Sequence, residues 1–492
     1  MTGITLLDYQ ADFVGNVRAA YSSGARAVLG VLPTGGGKTY CFSYITQRAT
    51  ARAKADGQLF KILLLAHRKE LVGQISRALK VFGVGHGVIR PDVMPSNHAV
   101  QVAMVQTLAK RIKLDKAQRY IFDMVIVDEA HHAVADSLWG EVLAYNLGAL
   151  LLGLTATPCR LDGKGLGVEA DGFFDSLVAG PTLAQLIERG NLARPVIYAP
   201  KVPLILDKVG VRSGEFKRAQ LADAVDWEAI THDAVGSYSA QCAGQSAIGF
   251  CVSVEAAYRA SDRFKAAGFS AAALEGKTPD RERDRMIRDL GNGSLNVLFS
   301  KDVISEGTDI PRVAAVIGLR PTASWSLYMQ QIGRGLRRYP GKETAIILDH
   351  VDNVRRHGLP TDDVEWSLMG VTKRASEAAV KRCECGLIVS VFMRACECGR
   401  SFERAGMPVR PEPVAKPVNG ELIELTPEMA AQIRDRKRSE LVAARTYEEL
   451  VRLGRQRKYK DPEFWAKQIM QGRDNYRAQF KKTNVGASQN VW

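Results

Sequence analysis

Short apolar runs recur along residues 1–320, and each run is followed by a polar loop and a longer amphipathic stretch. The first five runs cover residues 28–32, 62–66, 100–105, 124–127 and 151–154. Between them apolar residues recur at helical spacing, as at Leu71, Ile75 and Leu79. Unbroken apolar runs are typical of strands that a parallel sheet buries on both faces. The alternation therefore predicts an α/β lobe with a doubly wound parallel sheet over residues 1–200.

A second unit with the same alternation follows a connector. Residues 201–227 contain Pro203, Gly210 and Gly214 and are predicted to link the two units. Further apolar runs lie at 247–252, 271–274, 295–300 and 314–319, with a helical pattern over 253–267. These runs predict a second doubly wound lobe over residues 228–370.

Length and composition fit a multidomain globular protein. The 492 residues exceed a single core and predict two or three domains. The chain is 46% hydrophobic and 24% charged, which is ordinary for a globular protein. It has no run of about 18 apolar residues that would suggest a membrane span. Its first residues lack a basic segment followed by an apolar core, so we expect an unexported, cytoplasmic protein with no membrane partner.

Residues 28–39 have the layout of a phosphate-binding loop, because an apolar run, Pro33 and three glycines precede a Lys-Thr pair. The glycines allow backbone N–H groups to converge on phosphate oxygens. Lys38 can reach the β and γ phosphates, and the Thr39 hydroxyl can ligate Mg²⁺. The alternative is a glycine-rich turn beside a lysine. The candidate ATP-binding residues are Thr34, Gly35, Gly36, Gly37, Lys38 and Thr39.

Two adjacent carboxylates, Asp128 and Glu129, end the fourth apolar run. Asp128 can hold Mg²⁺, while Glu129 can orient and deprotonate an attacking water. The alternative is a helix N-cap followed by an exposed acid.

The second unit has no phosphate loop of its own, and we expect it to supply arginines to a nucleotide held by the first. Arg334 and Arg337 are three residues apart in a predicted helix and should project from one face. Arginines of this kind stabilise the charge that develops on a transferred phosphoryl group.

Five segments, taken in chain order, resemble the motifs of superfamily 2 DEAD/DEAH-box helicases. They are Leu-Pro-Thr-Gly-Gly-Gly-Lys-Thr (32–39), Asp-Glu-Ala-His (128–131), Thr-Ala-Thr-Pro (155–158), Glu-Gly-Thr-Asp-Ile-Pro (306–311) and Gln-x-x-Gly-Arg-x-x-Arg (330–337). Leu32 stands where the generic loop has glycine, and this superfamily commonly departs there. Segments 66–71 and 153–162 resemble more narrowly the XPB-like and RadD-like branch. The resemblance covers roughly residues 6–350.

The resemblance implies two tandem RecA-like lobes that bind and hydrolyse ATP with Mg²⁺. It implies that Gln10 contacts adenine, that Asp309 lies near the ribose, and that Thr155 and Thr157 link hydrolysis to lobe movement. The implied catalytic residues are Glu129, Arg334, Arg337 and Lys38. The implied nucleic-acid track contains Arg68, Gln106, Thr107 and Thr278.

Four of the eight cysteines are clustered, and they predict a zinc-binding element over residues 378–404. Cys383 and Cys385 form one pair, Cys396 and Cys398 form another, and each pair is followed by glycine. Four thiolates can complete a tetrahedral zinc site. The alternatives are reduced free thiols or an inert remnant. Cysteines 41, 159, 242 and 251 are expected to be buried thiols.

The C-terminal segment is strongly basic and contributes much of the net charge of +14. Residues 431–492 carry 15 Lys or Arg against 7 Asp or Glu. A proline-rich linker (405–425) precedes this basic helical tail (426–492), in which aromatic residues alternate with basic ones. That composition suits nucleic acid, through phosphate contacts and base stacking. The alternatives are a solvated helical surface and aromatic packing of the tail onto the core.

These features together predict an ATP-dependent DNA helicase or translocase, acting in DNA repair, recombination or replication. Its expected partners are DNA and, as a further candidate, a replication or repair protein. One alternative is an ATP-gated DNA-binding, annealing or remodelling factor without processive unwinding. Another is an RNA helicase.

Overall fold

The computed structural model describes residues 5–370 with gaps at 94–95, 115–119, 161–164, 201–203, 303, 305–309, 363 and several positions between 205 and 226. It also describes residues 380–382 and 388–390 and parts of the segment 444–470. Within these ranges the chain forms two α/β lobes, each built on one parallel sheet.

The first lobe has a seven-stranded sheet in the order β3-β4-β2-β5-β6-β1-β7, with every strand pair parallel. Its strands are β1 (Ala27–Val31), β2 (Ile62–Ala66), β3 (Gly87–Ile89), β4 (Val100–Met104), β5 (Met124–Asp128), β6 (Leu150–Thr155) and β7 (Ser176–Ala179). Its helices are α1 (Asp8–Ser22), α2 (Lys38–Ala55), α3 (Lys69–Val81), α4 (Val105–Leu114) and α5 (Leu138–Tyr145).

Helices cover both faces of this first sheet. Residues of α1, α2 and α3 form one apolar core with the strands, and residues of α4 and α5 form another on the opposite face. The strands between them are buried along their whole length, as in β2 and β5. The predicted doubly wound arrangement is therefore confirmed for this lobe.

The second lobe has a six-stranded parallel sheet in the order β12-β13-β11-β14-β15-β8. Its strands are β8 (Arg194–Tyr198), β11 (Ala247–Cys251), β12 (Ala271–Leu274), β13 (Val297–Ser300), β14 (Ala315–Leu319) and β15 (Thr344–Asp349). The connector forms a separate antiparallel pair of strands, β9 (Val211–Arg212) and β10 (Glu215–Phe216). The helices from residue 183 onward are α6 (Leu183–Glu188), α7 (Trp227–Cys242), α8 (Val254–Ala266), α9 (Asp280–Asn292), α10 (Trp325–Gly333) and α11 (Asn353–His357).

Strand β8 shows that the boundary between the lobes lies earlier in the sequence than predicted. The sequence assigns residues 1–200 to the first lobe, but β8 pairs in parallel with β15, with Arg194 opposite Thr344. Helix α6, just before it, packs into an apolar core of the second lobe. The predicted boundary at residue 200 is therefore wrong, because the chain has already entered the second lobe when it reaches Arg194.

Two elements beyond residue 370 lie against the lobes. Strands β16 (Val380–Arg382) and β17 (Ile388–Ser390) form an antiparallel hairpin, and β17 lies beside β8. Helix α12 (Tyr447–Gln456) shares an apolar cluster with Ala144 of α5. The described part of the basic tail is thus a helix packed on the first lobe.

The four scattered cysteines are buried, as predicted. Burial raises the pKa of Cys41, Cys242 and Cys251 to about 12, so these thiols stay protonated. No helix in the described ranges is long and apolar enough to span a membrane.

Candidate nucleotide site between the lobes

The predicted phosphate loop follows β1 at the carboxyl edge of the first sheet, and helix α2 begins at Lys38. Gly35 and Gly37 both have a φ of 85°, a left-handed conformation that glycine adopts without strain. A Cβ atom at Gly37 would lie 2.2 Å from Gln10 Nε2, so the Gln10 side chain packs directly against this glycine. The first turn of α2 adds N–H groups that lack intrahelical partners. These features suit a bound phosphate, and the ligand roles of Lys38 and Thr39 remain predictions.

Tyr9 and Gln10 contact the phosphate loop from helix α1. Tyr9 Oη donates a hydrogen bond to Gly36 O at 3.2 Å, and Gln10 Nε2 donates to the same oxygen at 3.4 Å. Burial raises the pKa of Tyr9, so the hydroxyl keeps the proton that it donates. The structure thus places Gln10 at the loop, while its contact with adenine stays a prediction.

Asp128 lies at the same edge of the sheet as the phosphate loop. Strand β6 separates β5 from β1, with Leu154 opposite Asp128 and Thr155 opposite Val31. Asp128 is 5% exposed, and its Oδ1 accepts the N–H of Glu129 at 3.1 Å. A buried carboxylate beside a phosphate loop is suitably placed to hold a cation.

Glu129 has a strained backbone and a carboxylate oxygen with unused hydrogen-bonding capacity. Its φ of 52° and ψ of 54° are left-handed, which costs a residue other than glycine about 1–3 kcal/mol. Its buried Oε2 has no hydrogen-bond partner in the described part of the chain and lies 3.4 Å from His131 Nδ1. Leaving such an oxygen unsatisfied is unfavourable. The arrangement suits a group that accepts a proton from water.

His131 joins the neighbourhood of Glu129 to the Thr-Ala-Thr segment. Its Nδ1 lies 3.1 Å from Thr155 Oγ1. The Thr155 hydroxyl also lies 3.0 Å from Thr157 O, so it connects His131 with Thr157. The Thr157 hydroxyl in turn hydrogen-bonds the hydroxyl of Ser326 on α10 in the second lobe. Thr155 and Thr157 therefore lie on a polar path between the lobes.

Arg334 and Arg337 do not share a helical face, and that prediction is wrong. Helix α10 ends at Gly333, Arg334 caps it, and Arg337 lies in an extended segment paired with Leu192. A Cβ atom at Gly35 would lie 3.7 Å from Arg337 Cγ, so Arg337 passes close to the phosphate loop. Arg334 is 5% exposed. Arg337 therefore lies at the interface between the lobes, and Arg334 follows Gly333, where a Cβ atom would lie 2.6 Å from Thr34 of the phosphate loop.

The residues assigned to the nucleic-acid track fall on both lobes. Gln106 Nε2 donates to the His67 carbonyl at 3.0 Å, and Arg68 Nη1 donates to the Asp302 carbonyl of the second lobe at 3.1 Å. Thr107 lies in the first turn of α4. Thr278 Oγ1 accepts the N–H of Glu275 at 3.2 Å in the second lobe. The structure brings Arg68 and Gln106 together beside His67.

Two ion pairs cross the cleft next to this track. Lys69 Nζ lies 2.6 Å from Asp280 Oδ2, with both side chains largely exposed at 48% and 62%. Glu70 pairs with Arg283, where the exposures are only 28% and 13%. Because Asp280 and Arg283 are three residues apart on α9, one helical face of the second lobe meets consecutive residues of the first. We call these two ion pairs the interlobe bridge.

Asp309 and the four clustered cysteines, Cys383, Cys385, Cys396 and Cys398, lie outside the described residues. Their roles at the ribose and at zinc therefore stay predictions. Within the described ranges no group of three or more His, Cys, Asp or Glu side chains is arranged to hold a metal ion.

Sequence reasoning missed two residues of the site. His131 follows the paired carboxylates, so its position in the Asp-Glu-Ala-His motif could have drawn attention to it. Ser326 gives no such signal, because a serine near a helix start is most often a cap or an exposed residue. Its role depends on the packing of α10 against the Thr-Ala-Thr segment.

The fold is that of a protein with two parallel-sheet α/β lobes consistent with tandem RecA-like domains, and the candidate nucleotide site lies in the cleft between them. Two family models match the chain. The type III restriction enzyme, res subunit, matches residues 3–160, and the helicase conserved C-terminal domain matches residues 233–339. The chain belongs to the superfamily 2 helicases of the RadD, type III restriction-enzyme and XPB-like kind, as the motifs indicated.

Its relatives include proteins of phage and yeast. A "51.5 kDa protein" of a Lactococcus phage is 32% identical over 75% of this chain and 77% of its own length. The "Putative ATP-dependent helicase IRC3" of Saccharomyces cerevisiae is 29% identical over 73% of this chain and 55% of its own. The corresponding Schizosaccharomyces pombe protein is 31% identical, with 59% of its length covered. The chain thus spans little more than half of either yeast relative.

Among solved structures, a fragment of a putative HsdR subunit of a type I restriction enzyme from Vibrio vulnificus superposes with a TM-score of 0.55. It is 20% identical and covers 72% of this chain and 65% of its own. At that identity the likeness shows the fold, and it agrees with two tandem RecA-like lobes. The two matching family models support an ATP-dependent enzyme of the helicase family.

Proposed function

We propose that the protein is an ATP-dependent DNA helicase or translocase that couples ATP hydrolysis in the interlobe cleft to movement on DNA or separation of its strands. Its cellular role would be in DNA repair, recombination or replication. The single observation that carries the enzymatic part is Glu129, which follows β5 at the same sheet edge as the phosphate loop. Its strained backbone holds a buried carboxylate oxygen that has no hydrogen-bond partner among the described residues.

Each residue near the cleft has a defined role in this proposal. Lys38 binds the β and γ phosphates, and Glu129 orients the attacking water and accepts its proton. The hydroxyl of Thr39 and the carboxylate of Asp128 are hard oxygen donors of the kind that Mg²⁺ prefers, so the residues present fit this ion. Mg²⁺ would supply charge neutralisation on the phosphates. Arg334 and Arg337 would stabilise the charge that develops during transfer.

The preference for DNA rests on relatives. One is the endonuclease subunit of the type I restriction enzyme EcoAI of Escherichia coli, which is 31% identical over 38% of this chain. One matching family is also a restriction-enzyme subunit. Restriction enzymes act on DNA, which favours DNA as the polymer.

RNA is the second candidate, because an ATP-dependent RNA helicase eIF4A of Coccidioides immitis is 24% identical over 67% of this chain. ATP hydrolysis should be measured with single-stranded DNA, duplex DNA and RNA at matched nucleotide concentration, together with strand displacement. Stimulation by DNA above that by RNA is expected. Stimulation by RNA alone would contradict the DNA proposal and leave the ATPase intact.

A zinc element near the C-terminus belongs to the same proposal. Arg382 pairs with Ile388 in the β16–β17 hairpin, so the segment that contains Cys383 and Cys385 connects two antiparallel strands. Cys383 and Cys385 would supply two thiolates of a four-cysteine zinc site, and Cys396 and Cys398 would supply the other two. The hairpin lies beside β8, at the edge of the second lobe.

A further inference from the structure

Lys342 is a buried lysine next to the segment that carries Arg337. It is 7% exposed, and its ammonium group donates hydrogen bonds to three backbone carbonyls. The acceptors are Pro311 O at 3.2 Å, Arg337 O at 2.7 Å and Val313 O. An ammonium group has three N–H donors, so each proton of a charged Lys342 has one acceptor.

A tight turn directs Lys342 back toward Arg337. The N–H of Lys342 donates to Tyr339 O at 2.9 Å, which closes a four-residue turn. Pro340 occupies the second position of the turn, and Gly341 occupies the third with a φ of 75°. This combination is that of a type II turn, whose third position requires a positive φ. The turn therefore depends on residue types that are present in the sequence.

The three carbonyls belong to two segments of the second lobe. Pro311 ends the Glu-Gly-Thr-Asp-Ile-Pro motif, Val313 lies two residues beyond it, and Arg337 ends the Gln-x-x-Gly-Arg-x-x-Arg motif. On its other side the backbone of Arg337 pairs with Leu192. A Cβ atom at Gly35 would lie 2.8 Å from Leu192 Cδ2, so Leu192 touches the phosphate loop. Lys342 thus ties a segment that approaches this loop to residues 311–313 of the second lobe.

We propose that Lys342 is a positioning residue for Arg337: its ammonium group holds the Arg337 backbone against residues 311–313, so that the guanidinium reaches the phosphoryl group in the cleft. This inference rests on the proposed function, in which Arg337 stabilises the transition state. Lys342 itself touches neither nucleotide nor water in this role.

The chemistry of Lys342 gives the role a pH dependence. Burial, together with the charges of Arg337 and Arg338, lowers the pKa of Lys342 to about 7. Arg312, in the segment that Lys342 contacts, stacks on Tyr339, with its guanidinium carbon 5.7 Å from the ring centroid. A neutral amine has only two N–H donors, so deprotonation releases one carbonyl. We therefore expect kcat to fall as the pH rises through about 7.

The free energy of unfolding should rise with pH over the range in which kcat falls. An unfolded lysine has a pKa of about 10.4, so the folded chain binds fewer protons than the unfolded chain between about pH 7 and 10. Stability therefore rises with pH across this window. A lysine that served only to stabilise the fold would not lower kcat under conditions in which stability increases.

The test compares Lys342→Met, Arg337→Ala and the double variant, with the exposed Lys265→Met as the matched control. ATP hydrolysis is measured at saturating ATP and DNA, and ATP affinity is measured separately. We expect Lys342→Met to lower kcat at least about tenfold with ATP affinity within about twofold, and the control to match the wild type. The double variant should be no slower than Arg337→Ala, because both changes remove one interaction.

Two outcomes separate the inference from the proposed function. A normal kcat for Arg337→Ala would show that Arg337 does not stabilise the transition state, and would contradict the role that the proposed function gives to Arg337. A large effect of Arg337→Ala beside a normal kcat for Lys342→Met, or additive effects in the double variant, would overturn the role of Lys342 alone.

If Lys342→Met fails to bind ATP or to fold, the Lys342→Arg variant tests the inference instead. Arginine stays protonated throughout the accessible pH range, so this variant should retain kcat below pH 7 and lose the fall above it. A fall in kcat near pH 7 that persists in Lys342→Arg would overturn the inference.

Discussion

At the scale of single residues, Glu129 is exceptional in its backbone conformation. Three non-glycine residues in the described ranges have positive φ, and the other two are Asp171 and Asp352. Aspartate tolerates this region because its short side chain can bond locally, whereas glutamate has no such advantage. The conformation of Glu129 is therefore imposed by the surrounding structure, which fixes the direction of its carboxylate. Such strain is common where chemistry requires a fixed group.

Replacing Glu129 with glutamine tests this carboxylate directly. Glutamine keeps the size of the side chain and removes its basicity, so we expect normal ATP binding and hydrolysis at least about a hundredfold slower. Single-turnover hydrolysis and equilibrium ATP binding would be measured on the same preparation. Turnover close to that of the wild type would exclude Glu129 as the base.

Residues with a direct chemical role in binding or hydrolysing a nucleotide could be predicted from the sequence. Residues whose role depends on contacts between distant segments could not. Thr155 and Thr157 could be named from a motif, but the bond from Thr157 to Ser326 joins positions 169 residues apart. The arginines were named, yet their shared helical face was wrong because α10 ends at Gly333. Spacing along a sequence fixes a common face only while the helix continues.

At the scale of elements, the predicted strands were those buried on both faces. Strands β2, β5 and β11 are buried throughout and read as apolar runs. Strands β7 and β8 lie at sheet edges and are half exposed, so they lack that signal. Strand β3 has only three residues. An unbroken apolar run is visible in the sequence where burial is nearly complete, and this holds even for the edge strand β12, which was predicted. Strand β15 lies inside the second sheet but is only partly buried at two of its six positions, and it was not predicted.

The zinc element is testable without a structure of its metal site. We expect one zinc ion per chain in protein purified without chelator, and loss of that ion when Cys383 and Cys385 are both replaced by serine. The lobes have their own apolar cores, so ATP hydrolysis without DNA should persist in the variant. Elemental analysis that finds no stoichiometric zinc would disprove the assignment. Replacing Cys251, a buried thiol of the second lobe, is the control and should leave the zinc content unchanged.

At the scale of the whole molecule, the interlobe bridge joins the two lobes beside the predicted nucleic-acid track. The pair of Glu70 and Arg283 is the less exposed of its two ion pairs, so solvent screens it less than the pair of Lys69 and Asp280. Arg334 and Arg337 belong to the second lobe, whereas the phosphate loop belongs to the first. We therefore expect the distance between the lobes to control the rate of ATP hydrolysis.

Charge exchange tests the interlobe bridge. Glu70→Arg or Arg283→Glu alone places like charges across the cleft, and each should lower DNA-stimulated kcat by about threefold to tenfold. The double exchange should restore most of it, since the pair is re-formed. The same exchange at Lys69 and Asp280 is the control and should have a smaller effect. Failure of the double exchange to recover activity would show that these residues act separately.

The tail was expected to be a DNA-binding segment beyond a flexible linker, and α12 modifies that expectation. Leu450, Val451 and Leu453 pack with Ala144 of the first lobe, so this helix is anchored. The segment 471–492, which lies outside the described residues, contains several of the basic and aromatic positions.

Truncation after residue 470 therefore tests DNA binding while leaving α12 in place. We expect ATP hydrolysis without DNA to stay nearly unchanged and the salt dependence of DNA binding to weaken. If the removed segment neutralises about two or three phosphates, the slope of log affinity against log salt on duplex DNA falls by about 0.9 for each. Truncation after Gly420 also removes α12 and serves as the comparison. An unchanged slope in both would mean that the tail does not bind DNA.

The position of β8 determines how this protein can be divided into fragments. Strand β15 forms hydrogen bonds with β8 along its outer edge, and β8 precedes the connector in sequence. A fragment that begins at residue 201 would leave that edge bare, with a row of unpaired N–H and C=O groups that could recruit another chain. The two sheets therefore follow one another in sequence, and a cut that leaves both intact must fall before the connector, between β7 and α6, at residues 180–182.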